Sequence, residues 1–293
     1  MLEFKEKINA SAKWWDSQGN NSRQWWNTKQ ILDDIEIRIP FGGMYKWMGN
    51  VLNGRILNEG ISIGCGSGHK ELALLGSGHV NRIYGYEISE KRIEECKNGT
   101  SIHNLTDRFF PCYSDGTLPE DKKYDLVYWN NSLHHMVNVE DAVRWSYETL
   151  NEDGILYVDD YVGANQMQFT DKELELASGL RAEMPVEWFP SGQDPMWYNQ
   201  RILSRPPLFH FTDTDPTEMK DCEAIIPSIH KYFPNAEIIL TGGIFYWIAM
   251  VELWKFFDEE RDRKITEYFL TKDKDFANDG YSCYAVCIVK KQR

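Results

Sequence analysis

The stretch ISIGCGSGHKELAL, residues 61–74, is an apolar strand that breaks into three alternate glycines and then continues with helical periodicity. Gly64 and Gly66 allow the positive φ angles of a tight strand-to-helix turn, and without a Cβ they let a ligand lie against bare backbone. Gly68 opens the following helix, where free N–H groups and the helix dipole favour a carboxylate or a phosphate. The stretch therefore predicts a nucleotide-binding turn in an α/β fold.

The spacing of these glycines argues against a dinucleotide site. A dinucleotide fingerprint reads G-x-G-x-x-G, and the position where its third glycine should fall is His69. The nicotinamide-dependent dehydrogenases are therefore a weaker alternative. About 20 residues after the glycines, a second apolar run ends in Glu87, where a βαβ nucleotide site places the acid that binds ribose hydroxyls.

Apolar runs alternate with amphipathic ones from Arg55 to Tyr161, which predicts a parallel sheet covered by helices on both faces. The predicted strands cover residues 61–63, 82–87, 109–113, 126–129, 155–161, 237–240 and 281–289. Ser89 is placed to cap a helix, and residues 139–150 have helical periodicity.

Five ordered motifs in this part of the chain resemble those of class I S-adenosylmethionine-dependent methyltransferases. They are Gly64-Cys65-Gly66-Ser67-Gly68, Glu87, Ser114-Asp115, Tyr124-Asp125-Leu126-Val127 and Leu150-Asn151-Glu152-Asp153-Gly154. The resemblance implies a doubly wound, Rossmann-like sheet of seven mostly parallel strands with an antiparallel last strand. It also implies S-adenosylmethionine as the cofactor and S-adenosylhomocysteine as the product.

The resemblance assigns cofactor contacts to particular residues. Glu87 would accept the ribose hydroxyls, Asp115 the adenine amino group, and Asn130 would lie beside the methionine moiety. The remaining predicted contacts line the glycine turn and the two strand ends, and they are Gly64, Cys65, Gly66, Gly68, Ile88 and Ser114. The alternative for Asp115 is a solvated acid in a Ser-Asp-Gly turn.

His134 and His135 follow the fourth predicted strand, at the edge where the methyl group would emerge. A hydroxyl nucleophile must lose a proton, and an unperturbed imidazole titrates near pH 6.5, so either histidine is a candidate general base. The alternative is that one or both only pack behind the cofactor. Metal binding by the pair is disfavoured, because adjacent side chains are expected to diverge.

Asp159 and Asp160 end the fifth strand and could bind Mg2+ as in catechol methyltransferases, but that pattern also needs an acid where this chain has Asn130 and Asn131. The sequence therefore predicts no metal. The predicted acceptor contacts are Asp160, Tyr161, Trp197, Tyr198, Arg201 and Tyr246. The alternative for the aromatic residues is that they build the core and its interfaces.

Four segments are predicted along the chain. Residues 1–54 form an aromatic-rich helical cap or packing layer, residues 55–161 the cofactor-binding core, residues 162–235 a helical and irregular substrate cap, and residues 236–293 the final strands and helix. Within the cap, Thr170 and Glu173 have capping-box spacing, and Asp215-Pro216-Thr217-Glu218 predicts a second helix start.

Composition narrows the classes of partner. The chain has 45 acidic and 32 basic residues, a net charge of -13, which disfavours nucleic acid. The six cysteines lack metal-site spacing and no run is long enough to span a membrane, so we expect a cytoplasmic protein. Whether it forms a homodimer stays open.

The function expected from these residues is O-methylation of a sugar or another small hydroxyl compound. Asp160-Tyr161-Val162-Gly163, Gln168 and Gly242-Gly243 are similar to a bacterial group of methyltransferases associated with glycan assembly. Two alternatives remain: an S-adenosylmethionine-binding scaffold or partner subunit without catalysis, and an N-methyltransferase of a small amine, which needs no strong base.

Overall fold

A computed structural model describes residues 2–17, 24–119, 122–189, 200–212 and 215–292. Its strands are β1 Leu57–Ile63, β2 Val80–Glu87, β3 Phe109–Tyr113, β4 Tyr124–Asn130, β5 Leu150–Tyr161, β6 Ile238–Gly242 and β7 Tyr284–Lys290. The α-helices are α1 Leu2–Ser17, α2 Lys29–Arg38, α3 Met44–Leu52, α4 His69–Gly76, α5 Glu90–Ile102, α6 Val139–Thr149, α7 Asp171–Glu183, α8 Phe209–Thr212, α9 Ile225–Tyr232 and α10 Arg263–Asn278. Shorter turns of helix include the 3-10 turn Leu133–His135 and the π-helical segment Ile244–Ala249.

The seven strands form one sheet in the order β3-β2-β1-β4-β5-β7-β6. The first five strands pair in parallel, and β7 lies antiparallel between β5 and β6. This arrangement confirms the predicted fold class, including the antiparallel last strand. The strand order reverses between β1 and β4: β2 and β3 lie on one side of β1, and β4 and β5 lie on the other. In open α/β sheets, ligands bind at the carboxyl ends of the strands beside such a switch point.

The local signals in the sequence set most helix starts correctly. Ser89 Oγ accepts a hydrogen bond from the backbone N–H of Arg92 at the start of α5. Thr170 and Glu173 form the expected reciprocal capping box at the start of α7. Both contacts satisfy backbone N–H groups that a helix leaves unpaired in its first turn.

The predicted helix start at Asp215 is wrong, because this segment is a turn. Asp215 Oδ1 accepts from the backbone N–H of Thr217 at 2.9 Å and from its Oγ1 at 2.7 Å. Met219 follows with a φ of 49°, in the left-handed region that a right-handed helix cannot continue through. The loop carries its acidic side chains toward the end of β4 instead.

Described residues of the segment predicted as a substrate cap share the core of the sheet. Ala177 and Leu180 of α7 and Ile225 of α9 are buried in the same hydrophobic cluster as Val127 of β4 and Leu156 of β5. The N-terminal helices are divided between two positions: α3 packs against β7, whereas α1 packs against α5. Helix α1 therefore lies at the edge where the parallel strands end.

Candidate active site

The carboxylate of Glu87, at the end of β2, is buried and oriented by backbone donors. Its Oε2 accepts the N–H of Gly66 at 2.9 Å, and its Oε1 accepts the N–H groups of Ile88 and Ser89, both at 2.9 Å. Charge-assisted hydrogen bonds of this kind are strong. They hold the Glu87 carboxylate, which can accept hydrogen bonds from hydroxyl groups, against the glycine turn.

Space for a ligand lies beside this carboxylate. A Cβ built on Gly66, whose φ is 54°, would meet no atom within 4 Å, so this glycine borders open space. A Cβ on Gly64 would instead approach Ser132 Cβ to 2.7 Å. Ser132 Oγ is buried and has no hydrogen-bond partner among the described residues. The open backbone, the oriented acid and the unsatisfied hydroxyl fit a nucleoside ligand such as the one the sequence predicts.

The predicted adenine contact, Asp115, lies exposed in the loop after β3. Its Oδ1 accepts from Thr117 Oγ1 at 2.6 Å and from the Thr117 N–H at 3.1 Å, and these bonds hold the pKa of Asp115 below its ordinary value. Ser114 donates its N–H to the carbonyl of Glu87 at 2.8 Å, which ties this loop to β2. Asp115 has the geometry of a turn acid, and its contact with adenine stays a prediction.

Asn130, predicted beside the methionine moiety, is bound to a lysine that the sequence analysis did not select. Lys70 Nζ donates to Asn130 Oδ1 at 2.5 Å, and Asn130 Nδ2 donates to Tyr128 Oη at 2.9 Å. Lys70 lies in the first turn of α4, where a cation is unfavourable next to the positive end of the helix dipole. This unfavourable position is the sequence signal that could have identified Lys70.

Asp160 lies behind His134 rather than facing an acceptor. The side chain is fully buried. Its Oδ2 accepts the N–H groups of Ser132 and Leu133 at 2.9 and 2.7 Å. Its Oδ1 accepts the N–H of Tyr161 at 2.8 Å and His134 Nδ1 at 2.5 Å. The predicted role of Asp160 in direct acceptor binding is therefore corrected: its oxygens orient the imidazole and the turn that carries it.

The two neighbouring histidines have opposite pKa shifts. Burial lowers the pKa of His134, but the charge and hydrogen bond of Asp160 outweigh it, so this pKa lies above the usual value. Burial and the charge of His134 hold the pKa of His135 below it. Burial opposes ionisation of Asp160 as well, yet its bonds to His134 and to backbone N–H groups keep the pKa of that carboxyl low.

The side chains of His134 and His135 do not diverge, and that expectation is wrong. Their ring centroids are 4.2 Å apart, because the 3-10 turn Leu133–His135 brings both imidazoles to one side. Glu218 faces them: its Oε1 lies 3.7 Å from His134 Nε2 and its Oε2 lies 3.6 Å from His135 Nε2. In the sequence, Glu218 is recognisable only as part of a predicted helix start, so its place in the site is not predicted.

The ring of His135 is also held from the side opposite Glu218. Its Nδ1 lies 3.3 Å from Thr217 Oγ1 and 3.7 Å from Asp215 Oδ2. Trp15 of α1 donates its Nε1–H to Asp215 Oδ2 at 3.0 Å, and its ring centroid lies 5.7 Å from that of His135. Helix α1 and the 215–218 turn thus close around the histidine pair.

Asp159 and Asp160 do not share a cation site in the described part of the chain. Successive strand residues point to opposite faces, and Asp160 already uses both oxygens. Burial raises the pKa of Asp159 to about 6, with Lys70 opposing the shift. The metal-competent cluster among the described residues is His134, His135 and Glu218 instead.

Tyr161 and Tyr246, predicted to contact the acceptor, are core residues. Tyr161 donates its hydroxyl to the carbonyl of Ala164 at 3.0 Å, and Tyr246 donates to the carbonyl of Thr241 at 3.1 Å. Both side chains are almost fully buried. Their hydroxyls are satisfied internally, which is the alternative that the sequence analysis had left open, and the prediction of acceptor contact is corrected for both.

The other predicted acceptor residues have different outcomes. Trp197 and Tyr198 lie outside the described residues. Arg201 Nη1 donates to the carbonyl of Arg181 at 2.6 Å, and its guanidinium lies 4.3 Å from the ring centroid of Phe189. These contacts tie Arg201 to the end of α7, and acceptor binding by this residue stays a prediction.

Comparisons with known proteins identify a family and several similar proteins. The family described as "Methyltransferase domain" matches residues 50–197, just over half of the chain. The 27-O-demethylrifamycin SV methyltransferase of Amycolatopsis mediterranei (strain S699) is 30% identical over 104 residues, which is 35% of this chain and 38% of that protein. The match thus spans little more than a third of the curated relative.

Two solved structures are also similar. The plantazolicin methyltransferase BpumL in complex with SAH is 14% identical, with 100% of this chain and 97% of that chain covered and a TM-score of 0.47. Phosphoethanolamine N-methyltransferase 2 of Haemonchus contortus in complex with S-adenosyl-L-methionine is 15% identical, with 99% and 57% covered and a TM-score of 0.47.

Proposed function

This chain belongs to the methyltransferase-domain family, and we propose that it transfers a methyl group from S-adenosylmethionine to a hydroxyl group of a small polar acceptor. The membership confirms the family expected from the ordered motifs, and with it S-adenosylmethionine as the cofactor. The acceptor that we propose is a sugar or another small hydroxyl compound, as in glycan methylation.

The residues around the glycine turn would hold the cofactor. S-adenosylmethionine, when bound, supplies an electrophilic methyl group on a sulfonium. The carboxylate of Glu87 would accept the ribose hydroxyls, and the backbone of Gly64 and Gly66 would lie under the nucleoside, where Gly66 borders open space. Asp115 and Asn130 would complete the site from the ends of β3 and β4.

The observation that carries the proposal is the contact of 2.5 Å between His134 Nδ1 and Asp160 Oδ1. This bond fixes the tautomer, so that Nε2 of His134 carries the lone pair that can accept a proton. The buried, ionised Asp160 then stabilises the imidazolium that forms. A hydroxyl nucleophile needs such a base, whereas an amine that is already neutral does not.

The curated relative is in keeping with a hydroxyl acceptor. Its name states that it is a methyltransferase of 27-O-demethylrifamycin SV. We propose by analogy that this chain also methylates oxygen, with His134 as the base and His135 as its neighbour in the acceptor site.

The proposed setting is the cytoplasm. Every cysteine of the chain is unpaired in the structure, as in a reducing compartment. No helix among the described residues has both the length and the apolar composition needed to cross a bilayer. The acidic charge disfavours nucleic-acid acceptors, and assembly into a homodimer stays a prediction.

Methyl transfer by two histidine variants tests the proposed base. Radiolabelled methyl transfer is measured onto a panel of nucleotide sugars and related polyhydroxyl compounds. With a responsive acceptor, His134→Gln should lower turnover by about 10²- to 10⁴-fold while affinity for S-adenosylhomocysteine stays within a factor of two or three, because general-base catalysis contributes about that much. His135→Gln should have the smaller effect.

His103→Gln is the matched control, since His103 is an exposed histidine at the end of α5. If neither His134→Gln nor His135→Gln slows transfer, the base assignment is wrong. If the wild-type protein does not bind S-adenosylhomocysteine, the proposal fails at the cofactor step.

A further inference from the structure

We propose that His134, His135 and Glu218 form a binding site for one divalent transition-metal ion, of which Zn2+ is the best match. The three side chains each offer a ligand atom, and these atoms all lie within 4.8 Å of one another. The inference rests on the proposed function only in placing the ion at the acceptor side of the pocket. Ion binding itself can be measured without an acceptor.

The distances between the donor atoms suit a small cation. Glu218 Oε1 lies 3.7 Å from His134 Nε2, and Glu218 Oε2 lies 3.6 Å from His135 Nε2. Both distances are too long for hydrogen bonds. In a tetrahedral site with bonds of about 2.0 to 2.1 Å, neighbouring ligand atoms are roughly 3.3 Å apart, so each of these two distances would shorten by only a few tenths of an ångström on binding an ion.

Both imidazoles are oriented as metal ligands are. A ligating histidine usually gives its other ring nitrogen to a carboxylate, a carbonyl or a hydroxyl, which fixes the ring and its tautomer. Here His134 Nδ1 is bound to Asp160, and His135 Nδ1 lies 3.3 Å from Thr217 Oγ1. Thr217 Oγ1 in turn donates to Asp215 Oδ1. The two Nε2 atoms are left directed toward Glu218.

The charge around the site also favours a dication. Asp160 and Asp215 are buried, and Glu218 is about one-quarter exposed. Within the described ranges, none of these three carboxylates forms an ion pair with a lysine or an arginine. Asp160 and Asp215 already accept hydrogen bonds, and Glu218 is the acid of the three that faces both Nε2 atoms. Two imidazoles and one carboxylate, with a position left open, are a known set for a catalytic zinc site.

Metal and proton would compete for the same lone pair on His134 Nε2. A chain with the ion bound could not use this atom as a general base, so occupancy of the site would regulate the proposed transfer. The expected effect of Zn2+ on the proposed reaction is therefore inhibition, in proportion to the fraction of sites occupied.

Calorimetric titration of the chelator-treated full chain with Zn2+ tests the proposal. The wild-type protein should bind one ion at this site, and Glu218→Gln should weaken binding at least about tenfold, because it replaces a charged ligand by a neutral amide. Glu223→Gln is the matched control, since Glu223 is exposed five residues farther along the chain. It should bind as the wild type does.

The absorption spectrum of the Co2+ complex identifies the ligands. A site of nitrogen and oxygen donors lacks the charge-transfer band of a cobalt–thiolate bond, and that result is expected. The band would assign the ion to a cysteine such as Cys222, which lies beside His134, and would overturn the proposal. Equal affinity in the wild type and in Glu218→Gln would overturn it too.

The effect of Zn2+ on transfer separates this inference from the proposed function. Inhibition that Glu218→Gln relieves supports the site. Faster transfer with Zn2+, lost in Glu218→Gln, would retain the metal site and overturn the assignment of His134 as the base. Specific binding of Zn2+ to a protein that transfers no methyl group would support the site and contradict the proposed function.

Discussion

Glu71, in the first turn of α4, is a buried carboxylate at the base of the glycine turn. Its Oε1 accepts the hydroxyl of Ser62 at 2.7 Å, whereas its Oε2 is buried without a partner among the described residues. Burial raises the pKa of Glu71 to about 7, against the opposing hydrogen bond from Ser62. The folded chain therefore holds this proton to a higher pH than the unfolded chain does.

The free energy of unfolding should depend on this proton. Between the unfolded pKa of 4.5 and the folded pKa of about 7, the folded state binds more protons, so Glu71 makes the chain less stable as pH rises. Glu71→Gln should remove a penalty on the order of 3 kcal/mol at pH 8 and almost none near pH 4. Urea unfolding at several pH values measures the difference.

Glu94→Gln is the control for this experiment, because Glu94 is exposed on α5. The difference in free energy of unfolding between Glu94→Gln and the wild type should not grow as pH rises from 4 to 8. A Glu71→Gln variant whose advantage is constant or grows toward low pH would contradict the pKa shift.

At the scale of single residues, proximity in the chain decided what could be predicted. Glu87 and Gly66 belong to one strand-helix-strand unit, so the spacing between them carried the expectation of a ribose-binding acid. Glu218 reaches the histidines from a distant loop, and no local pattern connects them. The metal-competent cluster could not be predicted for this reason.

At the scale of elements, Asp273 of α10 organises the start of the π-helical segment Ile244–Ala249. Its carboxylate accepts the N–H groups of Gly243 at 3.1 Å and Phe245 at 2.7 Å, and it pairs with Arg38 of α2 at 2.7 Å. One buried acid thus joins α2, α10 and the chain after β6. It satisfies the backbone donors that this segment leaves free.

Asp273→Ala should lower the free energy of unfolding by about 3 kcal/mol, the low end for a broken buried pair, because Arg38 would retain its contact with Asp34. The exposed Asp275 on the same helix gives the matched control, Asp275→Ala, which should change stability by about 0.5 kcal/mol or less. Chemical unfolding measures both. Equal losses in the two variants would refute the capping role.

Element types were predictable where the apolar pattern was strong. Each predicted strand overlaps an observed one, and the caps at Ser89 and Thr170 are present. At Asp215 the expected capping contact with the Thr217 N–H is present, but the chain does not continue as a helix, because Met219 has a left-handed φ of 49°.

At the scale of the whole molecule, α1 connects the start of α5 to the turn beside the histidine pair. Asp16 Oδ1 accepts the hydroxyl of Ser89 at 2.5 Å, beside the buried Glu87. Ser11 Oγ lies 3.1 Å from Thr217 Oγ1, and Trp15 donates to Asp215. The helix thus spans from the start of α5 to the turn that supports His135.

Trp15→Phe should keep the aromatic ring but remove the hydrogen bond to Asp215. We expect kcat/KM to fall at least about tenfold, since a hydrogen bond to a charged group contributes about 1.5 to 3 kcal/mol and here positions the 215–218 turn. Affinity for S-adenosylhomocysteine should change much less. Steady-state kinetics and calorimetry measure the two quantities.

Trp14→Phe is the neighbouring control on the same helix and should leave kcat/KM nearly unchanged. If both variants lose activity equally, or if Trp15→Phe mainly lowers the melting temperature, the bond to Asp215 serves stability rather than positioning.

The sequence by itself determined the alternation of strands and helices, the glycine turn and the acid at the end of β2, and therefore the family. These features depend on hydrophobic periodicity and on contacts within one strand-helix-strand unit, which the order of residues encodes directly. Only the tertiary structure decided that Asp160 stands behind His134, that the two histidines lie side by side and that Glu218 faces both. These contacts join β4, β5 and a distant loop, because packing of the whole chain brings them to one edge of the sheet.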